Sequence, residues 1–489
     1  MNGTETSGNR IGKFFQAPYT ELRSSVANVD GQPVGSIPVK LLALYVFLVV
    51  SRVLDLSAAG FLHIPMILLI ALILATAMQG DLRMFFSSNI ARWFAAFTAW
   101  VLCCFPVSTW RGASLVSTEA ALQAFAVFVI IAQLLKTPAD WQKIAGAYAY
   151  AVLVASVLSF FAGHLVQGRL SLENGSLADP NEFALILVVG LPFWWFKAAH
   201  AGGFRKLFFF FCTAPIFVAF ARAGSRSGLI ALCVLFFVTM LFASVGQKML
   251  MTVAAVVLLV GAAAFLPEYL KVRFTTLFEP HTSAELDSQT QQRLEGDIGS
   301  TEGREMLLIQ SIQMTFEHPV FGVGPGVFAA ASWDERKKST GEGGTLLVSH
   351  NTYTQISSET GIPGFILFVG TLLLCLKYAM SDYRAARAVD SDLAKSGFYM
   401  FSALSALSVG IFFLSVGYTH TLSVMFALAA ALHRIVRESL AKDPVQSVEA
   451  SAAPALEAAK IGSGRTAPVV PTPTRVRRRG HRRDRERAL

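Results

Sequence analysis

The feature that most constrains this chain is a succession of long, uninterrupted apolar runs separated by short polar turns. Such runs lie near 40–57, 61–79, 92–108, 118–135, 143–165, 181–197, 206–221, 227–244, 249–266, 362–379, 397–415 and 419–436. Crossing the hydrocarbon of a bilayer takes roughly 20 mostly apolar residues in a helix. Barrel strands would read as shorter, alternating segments, and these runs do not alternate. A chain that is 54% apolar and only 15% charged, with mean hydropathy +0.52, is also far too apolar for a soluble domain of this length. The sequence therefore predicts an all-α polytopic membrane protein of about twelve transmembrane helices.

The runs divide the chain. Residues 1–39 read as a polar N-terminal tail that leads straight into an uncleaved first span, since no small-residue cleavage site follows. Spans one to nine occupy 40–266, a polar insert occupies 267–361, and spans ten to twelve occupy 362–437. With a cytoplasmic N-terminus, the short connections rich in Lys and Arg (Lys136, Lys143, Lys197, Arg205, Lys206, Lys248, Arg384, Arg387, Lys395) all fall inside. The positive-inside rule thus places both termini in the cytoplasm and the long insert outside it. Residues 438–489 read as a disordered tail, poor in large apolar residues and ending in the arginine-rich run 475–487. On a membrane protein that run points to anionic lipid rather than to nucleic acid. All five cysteines fall in predicted spans, so the insert has neither a disulfide framework nor a cysteine metal site. No short internal repeat is evident.

The polar residues that could carry chemistry gather at the outer face. Ala221-Arg222-Ala223-Gly224-Ser225-Arg226-Ser227-Gly228 sets two arginines at the boundary between two spans. Charge so close to hydrocarbon needs a partner, and a guanidinium matches phosphate oxygens two at a time. Snorkelling to lipid headgroups is the plain alternative. In the insert, Leu307, Leu308, Ile312 and Phe316 predict an amphipathic helix over 303–316, with Arg304 in its first turn. His318-Pro319 ends it, and Gly322-Val323-Gly324-Pro325-Gly326 reads as a tight turn, lacking the Gly-Lys-Ser/Thr ending of a nucleotide loop. From His350 a further helix is expected, with His350, Tyr353 and Thr354 on one face, Glu359 beyond, and a break at Gly361-Ile362-Pro363-Gly364 before span ten. Histidine is the side chain best suited to act as a general base near neutral pH.

An arginine pair at an outer span boundary, then Arg304, a His-Pro-x-Phe-Gly-x-Gly-x-Gly turn and a His-Asn-x-Tyr…Glu-x-Gly-x-x-Gly segment together resemble the O-antigen ligase and Wzy polymerase family over about 221–379. The resemblance implies a GT-C-like membrane fold, an undecaprenyl-diphosphate-linked glycan as donor, and a place in the bacterial inner membrane. It implies His350 as catalytic residue and Arg226, Arg304 and Arg222 as ligands of the donor pyrophosphate, with Tyr353 and Glu359 as candidate substrate contacts. The acceptor would be a glycan, a lipid A-core or a protein hydroxyl, in a ligase, polymerase or protein O-glycosyltransferase. No cofactor and no metal are expected, and the partners are membrane lipids and a polysaccharide assembly complex, not nucleic acid. A flippase or exporter is the rival reading. It would distribute charge through several spans, whereas here few ionisable residues beyond Arg52 and Asp55 lie within them.

Overall fold

The computed structural model describes residues 36–55, 62–172, 177–275, 288–341 and 346–462. By contacts the chain divides into two units, Met1–Arg437 and Glu438–Leu489, and the candidate site belongs to the first. The elements run α1 Ser36–Ser51, α2 Ile64–Gln79, α3 Leu82–Ser87, α4 Asn89–Cys104, α5 Arg111–Leu134 and α6 Pro138–Ala162. After the strands β1 Gly163–Val166 and β2 Arg169–Leu172 come α7 Pro180–Ala199, α8 Gly203–Phe211, α9 Thr213–Ala223, α10 Arg226–Phe242 and α11 Val245–Phe265. Then follow α12 Glu268–Thr275, α13 Ser288–Glu317, α14 Phe328–Thr340, α15 Thr352–Ala386, α16 Ser391–Gly410 and α17 His420–Gly462.

Among the described residues seven helices are long and apolar enough to cross a membrane, and four more are apolar but shorter. These helices overlap the predicted runs, with the run 206–221 divided between α8 and α9 and the helix of the run 40–57 ending at Ser51, and the chain is a multi-pass helical membrane protein. Among hydrocarbon tails no hydrophobic drive holds helices together, and close packing must do so. Accordingly α7 is buried along most of its length, its Phe193 and Phe196 meeting Trp141 of α6. The Trp141 indole donates to the Leu428 carbonyl of α17 at 3.1 Å, which ties early and late helices into one body.

Helix starts follow from local chemistry. Thr137 and Asp140 form a reciprocal capping box on α6 with Pro138 at its first position. Asp179 caps α7, Asn351 caps α15 and Asp390 caps α16. One expectation fails at α6, which stops at Ala162 instead of running to 165. A hairpin follows, pairing Val166 with Arg169 across Gln167 and Gly168, both at positive φ. That backbone is the two-residue turn antiparallel strands prefer, so the fold is not purely α.

The insert is mostly helical, and α13 begins at Ser288, well before the predicted 303. Its buried face is also rotated. Leu307, Ser311, Met314 and Thr315 are buried, while Ile312 and Phe316 are exposed. The periodicity argument weighed apolar residues only, whereas the docked face includes two hydroxyls. The Thr315 hydroxyl lies 2.7 Å from that of Ser357 on α15. Leu307 and Met314 build a small core with Val323, Val327 and Phe328, and Ala113 of α5 packs against it. Helix α17 continues to Gly462, past the 438 expected to open the tail, and the arginine-rich run lies outside the described residues.

Candidate active site

The arginine turn joins α9 to α10. Gly224 ends α9 in the left-handed region at φ 56, and Ser225 caps α10 by accepting from the Gly228 amide at 3.1 Å. Two buried arginines grip this turn from outside. Arg169 donates to the Ala223 carbonyl at 3.0 Å and to Asn181 Oδ1 at 2.7 Å. Arg273 donates to the Gly224 carbonyl at 2.8 Å. A Cβ on Gly224 would press into Leu270 at 2.6 Å, so the turn is moulded on every side. Ser225 Oγ also donates to Asn181 Oδ1 at 2.9 Å, which fixes the start of α7 against the turn. Of the two predicted phosphate ligands, Arg226 opens α10 half-buried and Arg222 is exposed at the end of α9.

The glycine turn, 318–326, is occupied by its own protein. Val323 and Gly324 donate to the carbonyls of Ser358 and Glu359 at 2.9 and 3.1 Å, and Ile362 donates back to Pro319 at 2.8 Å. The Val323 carbonyl accepts from the amide and hydroxyl of Thr109, both at 3.0 Å. Gly322, Gly324, Gly326 and Gly361 all have positive φ. A Cβ on any of them would overlap Glu359, Ser108, Ser117 or Val320 respectively. Trp100 stacks on Phe321 with ring centroids 5.3 Å apart and donates to the Thr360 carbonyl at 2.8 Å. Glu359, only 2% exposed, accepts from the Phe328 amide at 3.3 Å. The Tyr418 hydroxyl lies beside this carboxylate. The Gly361 break is a kink within α15 and not its end.

His350 departs from expectation in its backbone. It is not on α15, which starts at Thr352, so it shares no helical face with Tyr353 and Thr354. Asn351 takes the capping position, accepting from the amides of Tyr353 and Thr354 at 2.9 and 3.2 Å. That leaves His350 at φ 51, a left-handed conformation costing a non-glycine residue on the order of 1–3 kcal/mol. Neighbours hold it there. The Ser349 hydroxyl donates to the Asn351 carbonyl at 3.1 Å and meets Ser415 Oγ at 3.0 Å, while Thr352 donates to the Leu414 carbonyl at 2.6 Å. Tyr353 spends its hydroxyl on the Ser408 carbonyl at 2.7 Å.

Burial holds the His350 imidazole below its usual pKa, the positive charge of Arg304 adds to this, and Asp179 acts in the opposite sense. His350 thus stands within electrostatic reach of one cation and one anion, neutral and able to accept a proton near pH 7. Sequence reasoning missed Asp179, Asn181, Arg169 and Arg273. Asp179-Pro180 is a legible helix start, but nothing local shows that its charge acts on His350. Among the described residues no three His, Cys, Asp or Glu side chains are grouped to hold a metal ion.

Residues 207–369 match the model of the O-antigen ligase family, described by that name. The match takes in the arginine turn, Arg273, Arg304, the glycine turn and His350; Asp179 and Asn181 lie before it. No curated protein matches the chain.

Proposed function

We propose, for a chain that carries an O-antigen ligase domain over residues 207–369, that it transfers a glycan from an undecaprenyl-diphosphate donor to an acceptor hydroxyl in bacterial surface polysaccharide assembly. The observation that supports this most is His350 in a strained left-handed conformation, with Arg304 and Asp179 as its charged neighbours. His350 takes the proton from the acceptor hydroxyl as that oxygen attacks the anomeric carbon. The glycosidic C–O bond to the diphosphate breaks on the opposite face, so the anomeric centre inverts. Arg304 and Arg226, with Arg222 at the rim, bind the donor diphosphate and balance charge as it leaves. A single well-placed donor of this kind is worth roughly 3–4 kcal/mol. The lipid diphosphate supplies the driving force, and the reaction is metal-independent.

In this reading the enzyme has a GT-C-like body of twelve spans in the inner membrane, with both termini cytoplasmic and 267–361 outside. Tyr353 and Glu359 serve as scaffold, since the hydroxyl of one is bonded within the bundle and the carboxylate of the other is buried under the glycine turn. The test is transfer in proteoliposomes given an undecaprenyl-diphosphate glycan with sugar, lipid A-core and peptide acceptors. Wild type should form product with and without EDTA, and folded His350→Ala should not. Product formation by His350→Ala at the wild-type rate would reject His350 as the base, and absence of product from wild type with every acceptor would favour the exporter.

A further inference from the structure

The mechanism above uses the side of α13 that packs on the bundle and leaves its opposite side idle. There a cleft of about 450 Å³ opens between α13 and α14, lined by Glu305, Met306, Ile309, Gln310, Gln313 and Arg336. Its volume falls in the range of small-molecule sites, roughly 300–1,000 Å³. Glu305, Ile309 and Gln313 recur every fourth residue and so form one row along the helix. Leu307, Ser311, Met314 and Thr315 are buried on the other side.

Part of the lining is fixed and part is left without partners. Gln310 is held at both ends of its amide, donating to Glu335 Oε2 at 2.9 Å and accepting from the Ser332 hydroxyl at 2.6 Å. Arg336 donates to the same Ser332 oxygen at 2.9 Å, which ties the guanidinium to this network. Glu305 and Gln313 are exposed and make no hydrogen bond or ion pair among the described residues. Met306 and Ile309 add apolar surface, 45% and 51% exposed. A sugar ring suits such a lining, because its C–H faces cover apolar side chains while its hydroxyls meet the polar ones. A glutamine amide offers two donors and an acceptor, and a carboxylate accepts strongly from hydroxyls. The single carboxylate and single guanidinium of the lining balance one another, so the cleft favours uncharged sugars.

Helix α13 stands between this cleft and the reacting centre. Arg304, whose charge acts on His350, is half-buried, whereas Glu305 and Met306 beside it are exposed. A helix with its side chains is about 10–12 Å across, so the cleft is placed for sugars farther along the glycan and not for the one being transferred. We infer that this cleft is a subsite for uncharged sugars of the donor glycan remote from the diphosphate, holding the chain while its anomeric end reacts. The inference rests on the glycosyl-transfer reading and deepens it by adding a subsite that reads glycan length. Binding energy from such remote contacts serves to position the reacting end.

The experiment uses the full chain in proteoliposomes with lipid-linked glycan extracted from the cells that make the protein, separated into short and long chains. Glu305→Gln and Gln313→Ala should each raise the KM of the long-chain donor roughly 3–10-fold, as loss of a hydrogen bond does. Both kinetic constants of the short-chain donor should stay at their wild-type values. Ile312→Gln, exposed on the same helix but outside the cleft, should leave both donors unaffected. A structural role alone would move short and long chains together. A long-chain KM unchanged in both folded variants, or a rise shared by the short chains, overturns the inference while leaving transfer intact. Glycan freed from lipid and diphosphate by mild acid gives a readout independent of transfer, and it should bind wild type and bind Gln313→Ala more weakly. Wild type that transfers nothing yet binds the freed glycan in this way rejects the parent reading and keeps the subsite. Wild type that binds none of it rejects the subsite and leaves the cleft to a protein partner.

Discussion

Two turns in this molecule look alike in sequence, each short, rich in small residues and apt for a phosphate. The structure separates them. In the glycine turn every close approach is made by the protein itself, with Ser108, Ser117 and Glu359 filling the space that side chains would need. In the arginine turn two buried arginines, Arg169 and Arg273, take up the backbone carbonyls, while Arg226 is half-buried and Arg222 exposed. The first is a joint between α13, α15 and the segment before α5; the second is a mount for cations. Glycine content alone reports how closely chain approaches chain, and only the atoms that do the approaching tell joint from site.

The contrast can be broken by substitution, beginning where the effect should be greatest. His350→Ala removes the proposed base and should lower kcat by roughly 10²–10⁴-fold, the range of general-base catalysis, in a protein that still folds. Arg304→Gln should cost about 10²–10³-fold in kcat/KM for the donor, again in a folded protein. Gly324→Ala should do the reverse, reducing the folded fraction before it touches chemistry. Its φ of 114 and the overlap with Ser108 predict destabilisation beyond the roughly 1–3 kcal/mol of a strained backbone alone. Gly341→Ala is the control, at φ 79 with nothing within 4 Å of the added methyl, and should cost only the strain. Equal losses from both glycines, read by thermal unfolding in detergent, would mean the turn is not a packed joint. Smallest is Trp100→Phe, which keeps the stack on Phe321 but loses the bond to Thr360, worth about 1 kcal/mol.

Much of the architecture was legible because apolar length is a direct record of membrane thickness, and seven helices among the described residues are long and apolar enough to cross one. The arginine turn and the end of the helix before His318-Pro319 were legible for local reasons, the first as the boundary between two apolar runs and the second as a proline stop. What escaped was set by pairing across the chain. His350 looked helical because Asn351 is an equally good cap one residue later, and only its neighbours Ser415 and Leu414 decide where α15 starts. Arg169 sits in an unforeseen hairpin and Arg273 in an insert with no pattern of its own, yet both end on one turn. Asp179 lies some 170 positions from His350 in sequence, and no local spacing could have joined them. The buried face of α13 was misread because Ser311 and Thr315 pack as well as leucine when their hydroxyls are bonded.

The central claim is that His350 works as a neutral base under the opposing charges of Arg304 and Asp179, and the pH dependence of kcat/KM tests it most directly. A base is active in its unprotonated form, so activity falls as pH drops through its pKa. Arg304 lowers that pKa and Asp179 raises it. The acidic limb of the profile should therefore move to higher pH in Arg304→Gln and to lower pH in Asp179→Asn, with the wild type between them. Limbs that coincide in all three proteins, or that move in the same direction in both variants, would contradict the account.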